Sequence, residues 1–196
     1  MNFLAHLSLA GPPAAPDYLG RLVGQFIADS VPGRQLDAYP AAVQAGIRAH
    51  RAIDTFTDQH PVVRRTTARL RAAGAGKYAG VVADVFMDHF LARNFAEFSA
   101  ESLPDFTQRV YAALASQQAG FPTPVQRFFP HMVQHNWLLH YVAIEGIARV
   151  LLGLSRRASP GSGMDTATEE LRRDYAAYEA DFRAFFPELQ AYAAGL

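Results

Sequence analysis

His50 and Asp54 stand four residues apart in the stretch HRAIDTFTDQHP, residues 50–61, and Asp58 follows four residues later. In a helix that spacing stacks side chains on one face, one turn apart, so His50 and Asp54 can share a ligand. The same pair also reads as a hydrogen-bonded couple on a solvated face. Asp58, just ahead of Pro61, reads equally well as the cap of the next helix. A second cluster, ADVFMDHF, sets Asp84 and Asp88 at the same spacing inside a run of Val, Phe, Met and Leu. Carboxylates in an apolar interior are costly unless met by cations, hydrogen-bond donors or a metal. A buried ion pair with one of the arginines would meet that cost as a metal would. His89, beside Asp88, projects about 100° away, so the two can reach one ion only from different sides, or His89 can serve as an orienter or a proton donor.

Other residues of the right chemistry carry weaker signals. Asp29 ends the apolar face of DYLGRLVGQFIADSV and reads either as a site residue or as a surface position past the end of its helix. His6, among apolar residues, reads first as a hydrogen-bonded core histidine. In HMVQHNWLLH, His131 and His135 have the spacing of zinc proteases without the adjacent glutamate, so no metal is expected there. Oxygen and nitrogen donors without sulfur suit a hard or borderline divalent ion such as manganese, magnesium or iron. The chemistry expected of such a set is metal-assisted hydrolysis, with phosphoester cleavage the commonest case. A G-x-S-x-G elbow and a glycine-rich phosphate loop are both absent.

The elements that must position these residues are helical, and alternating strand patterns are hard to find. Leu19, Leu22, Val23, Phe26 and Ile27 keep the three-and-four spacing of one helix face, predicting a helix over 17–31 that Asp17 starts. Pro40 can open the next helix and Pro61 the one after it. KYAGVVADVFMDHFLARNF predicts a long apolar helix and LPDFTQRVYAALASQQ an amphipathic one. Pro122, Pro124 and Pro130 punctuate the chain, a helix is predicted over 131–152, SRRASPGSG is a loop, and a last helix is predicted over 165–186. The expected fold is an all-α, single-domain helical bundle over residues 1–196.

Composition sets the setting. The 196 residues, half of them apolar, can bury one full core, and 18 basic against 18 acidic residues leave no net charge. No global field draws the chain to nucleic acid or to an anionic membrane, so neither is an expected partner. Cysteine is absent, which excludes disulfides, thiolate metal sites and a cysteine nucleophile. No run approaches the ~18 apolar residues of a membrane span, and a cytoplasmic location is expected.

Five blocks, MNFLAHLSLA, LGRLVGQFIADSV, GIRAHRAIDTFTDQHPVVR, YAGVVADVFMDHFLARNF and NWLLHY, resemble in order and spacing the acyl carrier protein phosphodiesterase (ACP hydrolase) family. The similarity spans nearly the whole chain. The family looks like a distant, non-standard relative of the HD-domain phosphohydrolases, so the resemblance implies an HD-like helical fold. It also implies removal of the 4′-phosphopantetheine arm from holo acyl carrier protein, commonly with manganese. Matched by position, it implies roles for His6, Asp29, His50, Arg51, Asp54, Asp58, Asp84, Asp88 and His89. His50, Asp54, Asp84, Asp88 and Asp29 are the expected metal ligands, with His6 and Asp58 as further candidates. Relatives often carry a second histidine where Ser8 stands and differ from SVPGR after Asp29.

In the mechanism this implies, the ion binds a nonbridging phosphate oxygen and acidifies a water that attacks phosphorus. Asp29, His89 and Arg51 are the expected catalytic residues, His89 as general acid for the serine leaving group and Arg51 as charge neutraliser. Carrier proteins are acidic. Residues 48–77 hold seven of the 18 basic residues against two acids, so Arg64, Arg65 and Arg69 are the expected docking surface. Two other classes stay open: a phosphohydrolase acting on a nucleotide or other small phosphoester, and a non-catalytic helical module that binds carrier protein.

Overall fold

The computed structural model describes residues 2–196, and within them the regular structure is helical. In chain order the α-helices are α1 (Phe3–Ser8), α2 (Tyr18–Ile27), α3 (Ala41–Gln59), α4 (Pro61–Leu70), α5 (Ala79–Arg93) and α6 (Phe95–Phe98). They continue with α7 (Leu103–Ala115), α8 (Thr123–Gln134), α9 (Trp137–His140), α10 (Ile144–Ser155), α11 (Ala167–Arg173) and α12 (Tyr175–Ala193). The all-α expectation holds.

Helix α5 is apolar on nearly every side, which suits the centre of a bundle rather than its surface. Helices α1, α4, α10 and α12 pack around it. Phe86 and Phe90 of α5 and Phe182, Phe185 and Phe186 of α12 are fully buried, with Phe185 packed on Phe56 of α3 and Phe186 on Phe98 of α6. Phe90 and Phe182 stack with ring centroids 5.9 Å apart.

Helices α2 and α3 form the closest pair in the fold, and glycine is the reason. A Cβ on Gly24 would stand 2.2 Å from the carbonyl oxygen of Val43, and one on Gly46 would stand 2.2 Å from that of Arg21. Bare backbones therefore touch, as happens only where side chains are absent. The two helices run in the same direction, because Gly20 faces Ala42 and Gly24 faces Gly46. Gln25 adjoins Gly24 and Asp29 lies in the turn after α2, while His50 and Asp54 lie one and two turns past Gly46 on α3. The glycine contact sets the distance between the end of α2 and the middle of α3, which carry the chemistry.

Several boundaries depart from the sequence expectations. The helix predicted over 17–31 ends at Ile27, and Asp29 sits in a 3₁₀ turn, Ala28–Ser30. Asp58 does not cap α4. It lies inside α3, and the imidazole Nδ1 of His60 accepts the Val62 N–H at 3.3 Å instead, with Pro61 at the first helical position. The helix predicted over 131–152 is three pieces. Pro130 lies within α8, Asn136 adopts a left-handed conformation (φ 43°) that stops it, and α10 starts only at Ile144. Gly146 then packs against the His140 carbonyl, where a Cβ would stand 1.9 Å away. The last helix is interrupted at Asp174 and runs on to Ala193 through Pro187.

Candidate metal centre

Four of the predicted site residues meet where α1, α2 and α3 converge. One ring nitrogen each of His6 and His50 and a carboxylate oxygen of Asp54 lie within 4.8 Å of one another. Asp54 reaches His6 Nε2 at 3.1 Å with Oδ1 and His50 Nε2 at 3.2 Å with Oδ2. Asp29 Oδ1 approaches His50 Nε2 at 3.2 Å from the 3₁₀ turn after α2. The i, i+4 spacing of His50 and Asp54 does what helix geometry requires. The imidazoles of His6 and His50 stack, 3.7 Å between centroids and 14° from parallel. Both histidines are buried, whereas the Asp29 side chain is 83% exposed and that of Asp54 39% exposed. The cluster is closed behind the imidazoles and open at the carboxylates.

Gln25 orients both rings, and sequence reasoning passed over it. Its side-chain oxygen accepts from His6 Nδ1 at 3.1 Å, and its backbone carbonyl accepts from His50 Nδ1 at 2.9 Å. With both Nδ1 atoms donating, each neutral ring turns an Nε2 lone pair toward Asp54. Two lone pairs and a carboxylate converging on one point repel one another unless a cation or a ring proton lies between them. The donor set thus fits a divalent ion, and an outer partner for each imidazole is the usual arrangement around such a site. The available signal was a glutamine, four residues before Asp29, set among the apolar residues Val23, Phe26 and Ile27.

The electrostatics agree. Burial alone would depress His50, but hydrogen bonds to Asp29 and Asp54 overcome it and raise the pKa to about 9. Burial dominates at His6 and lowers it to about 4 against the pull of Asp54. Burial works to raise Asp54, yet the two histidines hold it well below the usual carboxylate range. The hydrogen bond from His50 lowers Asp29. In the ion-free protein a proton on His50 supplies positive charge at this point.

The other predicted residues are placed differently. Asp88, fully buried on α5, accepts the backbone N–H groups of Leu4 at 2.8 Å and Ala5 at 3.1 Å. It therefore caps α1, the helix that carries His6, and burial pushes its pKa up to about 7 despite those two bonds. Asp84, one turn earlier, is also raised by burial, and the charges of Asp54 and Asp58 add to that. His89 is spent elsewhere: its Nδ1 donates to the Tyr141 carbonyl at 2.7 Å, and its Nε2 accepts from the Tyr175 hydroxyl at 3.0 Å. Arg51 donates to the Val31 carbonyl at 2.8 Å, tying α3 to the segment just after Asp29. Asp58 is exposed, and its backbone carbonyl accepts from Arg64 Nε at 3.3 Å. His131 and His135 lie parallel and exposed, 6.3 Å between ring centroids.

Two of the three expected docking arginines are engaged by a buried carboxylate. Arg65 Nε donates to Asp181 Oδ1 at 3.0 Å, and Arg69 Nη1 to Asp181 Oδ2 at 3.3 Å. The Asp181 side chain is only 3% exposed, so these arginines neutralise a buried carboxylate and clamp α4 to α12. Arg69 also pairs with Asp174 at 3.3 Å and lies over the Tyr178 ring.

The family model described as acyl carrier protein phosphodiesterase matches residues 1–189. A relative of that name from Photorhabdus laumondii is 33% identical over 188 residues, covering 95% of this chain and 92% of the relative. One from Escherichia coli O157:H7 is 33% identical over 198 residues, covering 98% and 97%. One from Enterobacter sp. is 32% identical over 194 residues, with the same coverage. No solved structure matches the chain. With its helices, its converging histidines and aspartates and this full-length likeness, the chain belongs to the acyl carrier protein phosphodiesterase family.

Proposed function

We propose that the protein hydrolyses the serine-linked phosphodiester of holo acyl carrier protein, releasing 4′-phosphopantetheine and apo carrier protein. The relatives' name supports this substrate. The observation that carries the chemistry is the convergence of His6, His50 and Asp54 on one point, with Asp29 at its open side. These four residues would hold a divalent ion, manganese by family likeness, with magnesium or iron also suited to the donors. When bound, the ion supplies Lewis-acid charge against the phosphoryl oxygens and lowers the pKa of a water.

The chain's own residues do the rest. Gln25 holds both imidazoles in the tautomer that leaves Nε2 free. Asp29, exposed at the open side, can take the proton of the attacking water. Arg51, anchored beside the Asp29 turn, offers its remaining N–H groups to the phosphoryl oxygens. His89 has both ring nitrogens engaged, so its contribution in this reading is to fix Tyr141 rather than to protonate the leaving group. Asp88 contributes by capping the helix of His6, and Asp84 by the negative charge it can add near Asp54. An HD-domain kinship and a cytoplasmic meeting with the carrier protein belong to the same reading. No helix among the described residues is long and apolar enough to cross a membrane.

The test is mass spectrometry of holo acyl carrier protein incubated with purified protein, alongside elemental analysis. The expected result is loss of the phosphopantetheine mass, its abolition by chelator and its return with manganese. Turnover of small phosphoesters with none of holo carrier protein would move the activity to another substrate. Binding of carrier protein with no metal bound and no turnover would leave a non-catalytic module.

A further inference from the structure

Beside the N-terminal end of α1 lies a groove of about 390 Å³, between α1, α9 and α10. That volume falls in the ~300–1,000 Å³ range of small-molecule sites. Phe3, Trp137, Val150 and Leu154 give it an apolar lining, and Gly153 leaves one wall without a side chain. Arg149, Arg157 and His140 supply cationic and polar groups. Glu145, the acid nearest Arg149 in sequence, is paired with Arg172 at 2.9 Å, which leaves Arg149 turned to the groove. The groove is also held in shape. Tyr141, which lines it, is fixed through its carbonyl by His89 and through its hydroxyl by Asn2 at 3.2 Å.

One short helix, α1, lines the groove with Phe3 and carries His6 of the metal centre. Phe3 stands one turn before His6 on α1, and its ring packs 5.6 Å from that of Phe26, the residue after Gln25. Phe3 thus stands both at the groove and one turn from His6, which makes the groove the neighbouring cavity for a part of the ligand that does not react. A site of apolar lining with a few convergent polar groups fits a linear chain carrying methyl groups and amides. Arginine and histidine donors suit its carbonyl oxygens and any neighbouring carboxylates.

We infer that this groove receives the pantetheine arm of the substrate, with the phosphate at the metal centre and the thiol end toward Trp137 and Leu154. The inference rests on the reading of the protein as a holo carrier protein phosphodiesterase. It assigns to the α1, α9 and α10 surface the part of that substrate that does not react.

Trp137 is the chain's only tryptophan and reports on the groove directly. Pantetheine, which lacks the phosphodiester, titrated into the metal-loaded protein should change Trp137 fluorescence saturably. A Cβ at Gly153 meets nothing within 4 Å, so Gly153→Leu can fold while filling the groove. It should weaken pantetheine binding about tenfold or more and raise KM for holo carrier protein more than it lowers kcat. Arg149→Glu, at an exposed position, should weaken both in the same direction. An unchanged Trp137 signal on adding pantetheine, or unchanged KM in both variants, would overturn the inference. Fluorescence needs no turnover, so failure of wild-type protein to cleave holo carrier protein counts against the proposed reaction and leaves the groove to be decided by titration.

Discussion

His6 and His50 stack with ring centroids 3.7 Å apart, and both are oriented by one residue, Gln25, through its side-chain oxygen and its backbone carbonyl. The side-chain bond can be removed without touching a proposed ligand. Gln25→Leu should free the His6 ring, lowering metal affinity roughly 10–100-fold, the usual cost of losing such an outer partner. Turnover should fall at limiting manganese and recover at excess. A loss that excess metal does not restore would place Gln25 in folding instead.

The Gly24 and Gly46 contact sets the spacing of the two helices that bear the site. Gly46→Ala should force α2 and α3 apart, costing about 1–3 kcal/mol as an overpacked contact does. Because Gln25 adjoins Gly24 and His50 lies one turn past Gly46, metal binding should weaken even where the variant stays folded. Calorimetric melting and metal titration on the same sample check both halves.

Asp29 and Asp88 should separate chemistry from folding. The Asp29 side chain is 83% exposed, so Asp29→Ala should change stability by no more than ~0.5 kcal/mol while turnover collapses. Asp88→Ala strips the buried N–H groups of Leu4 and Ala5 of their acceptors. Its expected cost is ~1–3 kcal/mol for each group left unpaired. A large Tm loss in Asp29→Ala, or none in Asp88→Ala, would reverse these assignments.

What was legible in the sequence is what local periodicity encodes. The face of Leu22, Phe26 and Ile27 and the four-residue steps His50 to Asp54 and Asp84 to Asp88 follow from helix geometry alone. The two i, i+4 pairs nonetheless went to different tasks, because Asp88 answers to a helix end 83 and 84 residues away in sequence. Nothing local distinguishes a carboxylate facing a histidine from one facing two backbone amides. Arg65 and Arg69 show the same limit: their partner, Asp181, lies on α12, and a basic run on an isolated helix looks solvated until that partner packs against it. The break at Asn136 was illegible for another reason. It requires a left-handed residue that asparagine tolerates but does not demand.

His89 ties stability to pH. Burial lowers its pKa, with the Tyr141 carbonyl opposing that and the charge of Arg93 adding to it, so the fold holds the ring neutral below the ordinary value. Unfolding lets it take up a proton. Its contribution is therefore fully present above the unfolded value of about 6.5 and is lost as pH falls through the folded value. His89→Gln can keep a donor to Tyr141 and an acceptor for Tyr175 without titrating. Its unfolding free energy, followed by denaturant melts between pH 7.5 and about 5, should fall less steeply than that of the wild type. Parallel curves would show that His89 does not contribute to acid destabilisation.

Arg64, Arg65 and Arg69 cannot be treated as one docking surface, because two of them hold Asp181 inside the fold. Arg65→Glu and Arg69→Glu together would set two acids against a buried carboxylate. Breaking a buried pair in this way costs on the order of 3–5 kcal/mol, so lost activity in that variant would report unfolding. Arg64 is different. It is exposed, and its one hydrogen bond to another element runs to a backbone carbonyl, that of Asp58, so charge reversal leaves no acid unpaired. If this edge meets the acidic carrier protein, Arg64→Glu should leave Tm unchanged, raise KM for holo carrier protein at low salt and flatten the salt dependence of kcat/KM, with kcat little altered. Such a split is what steering by an exposed charge produces, and a ligand of the metal centre would instead lower kcat. An Arg64→Glu enzyme with wild-type KM and wild-type salt dependence would remove this helix from the docking surface.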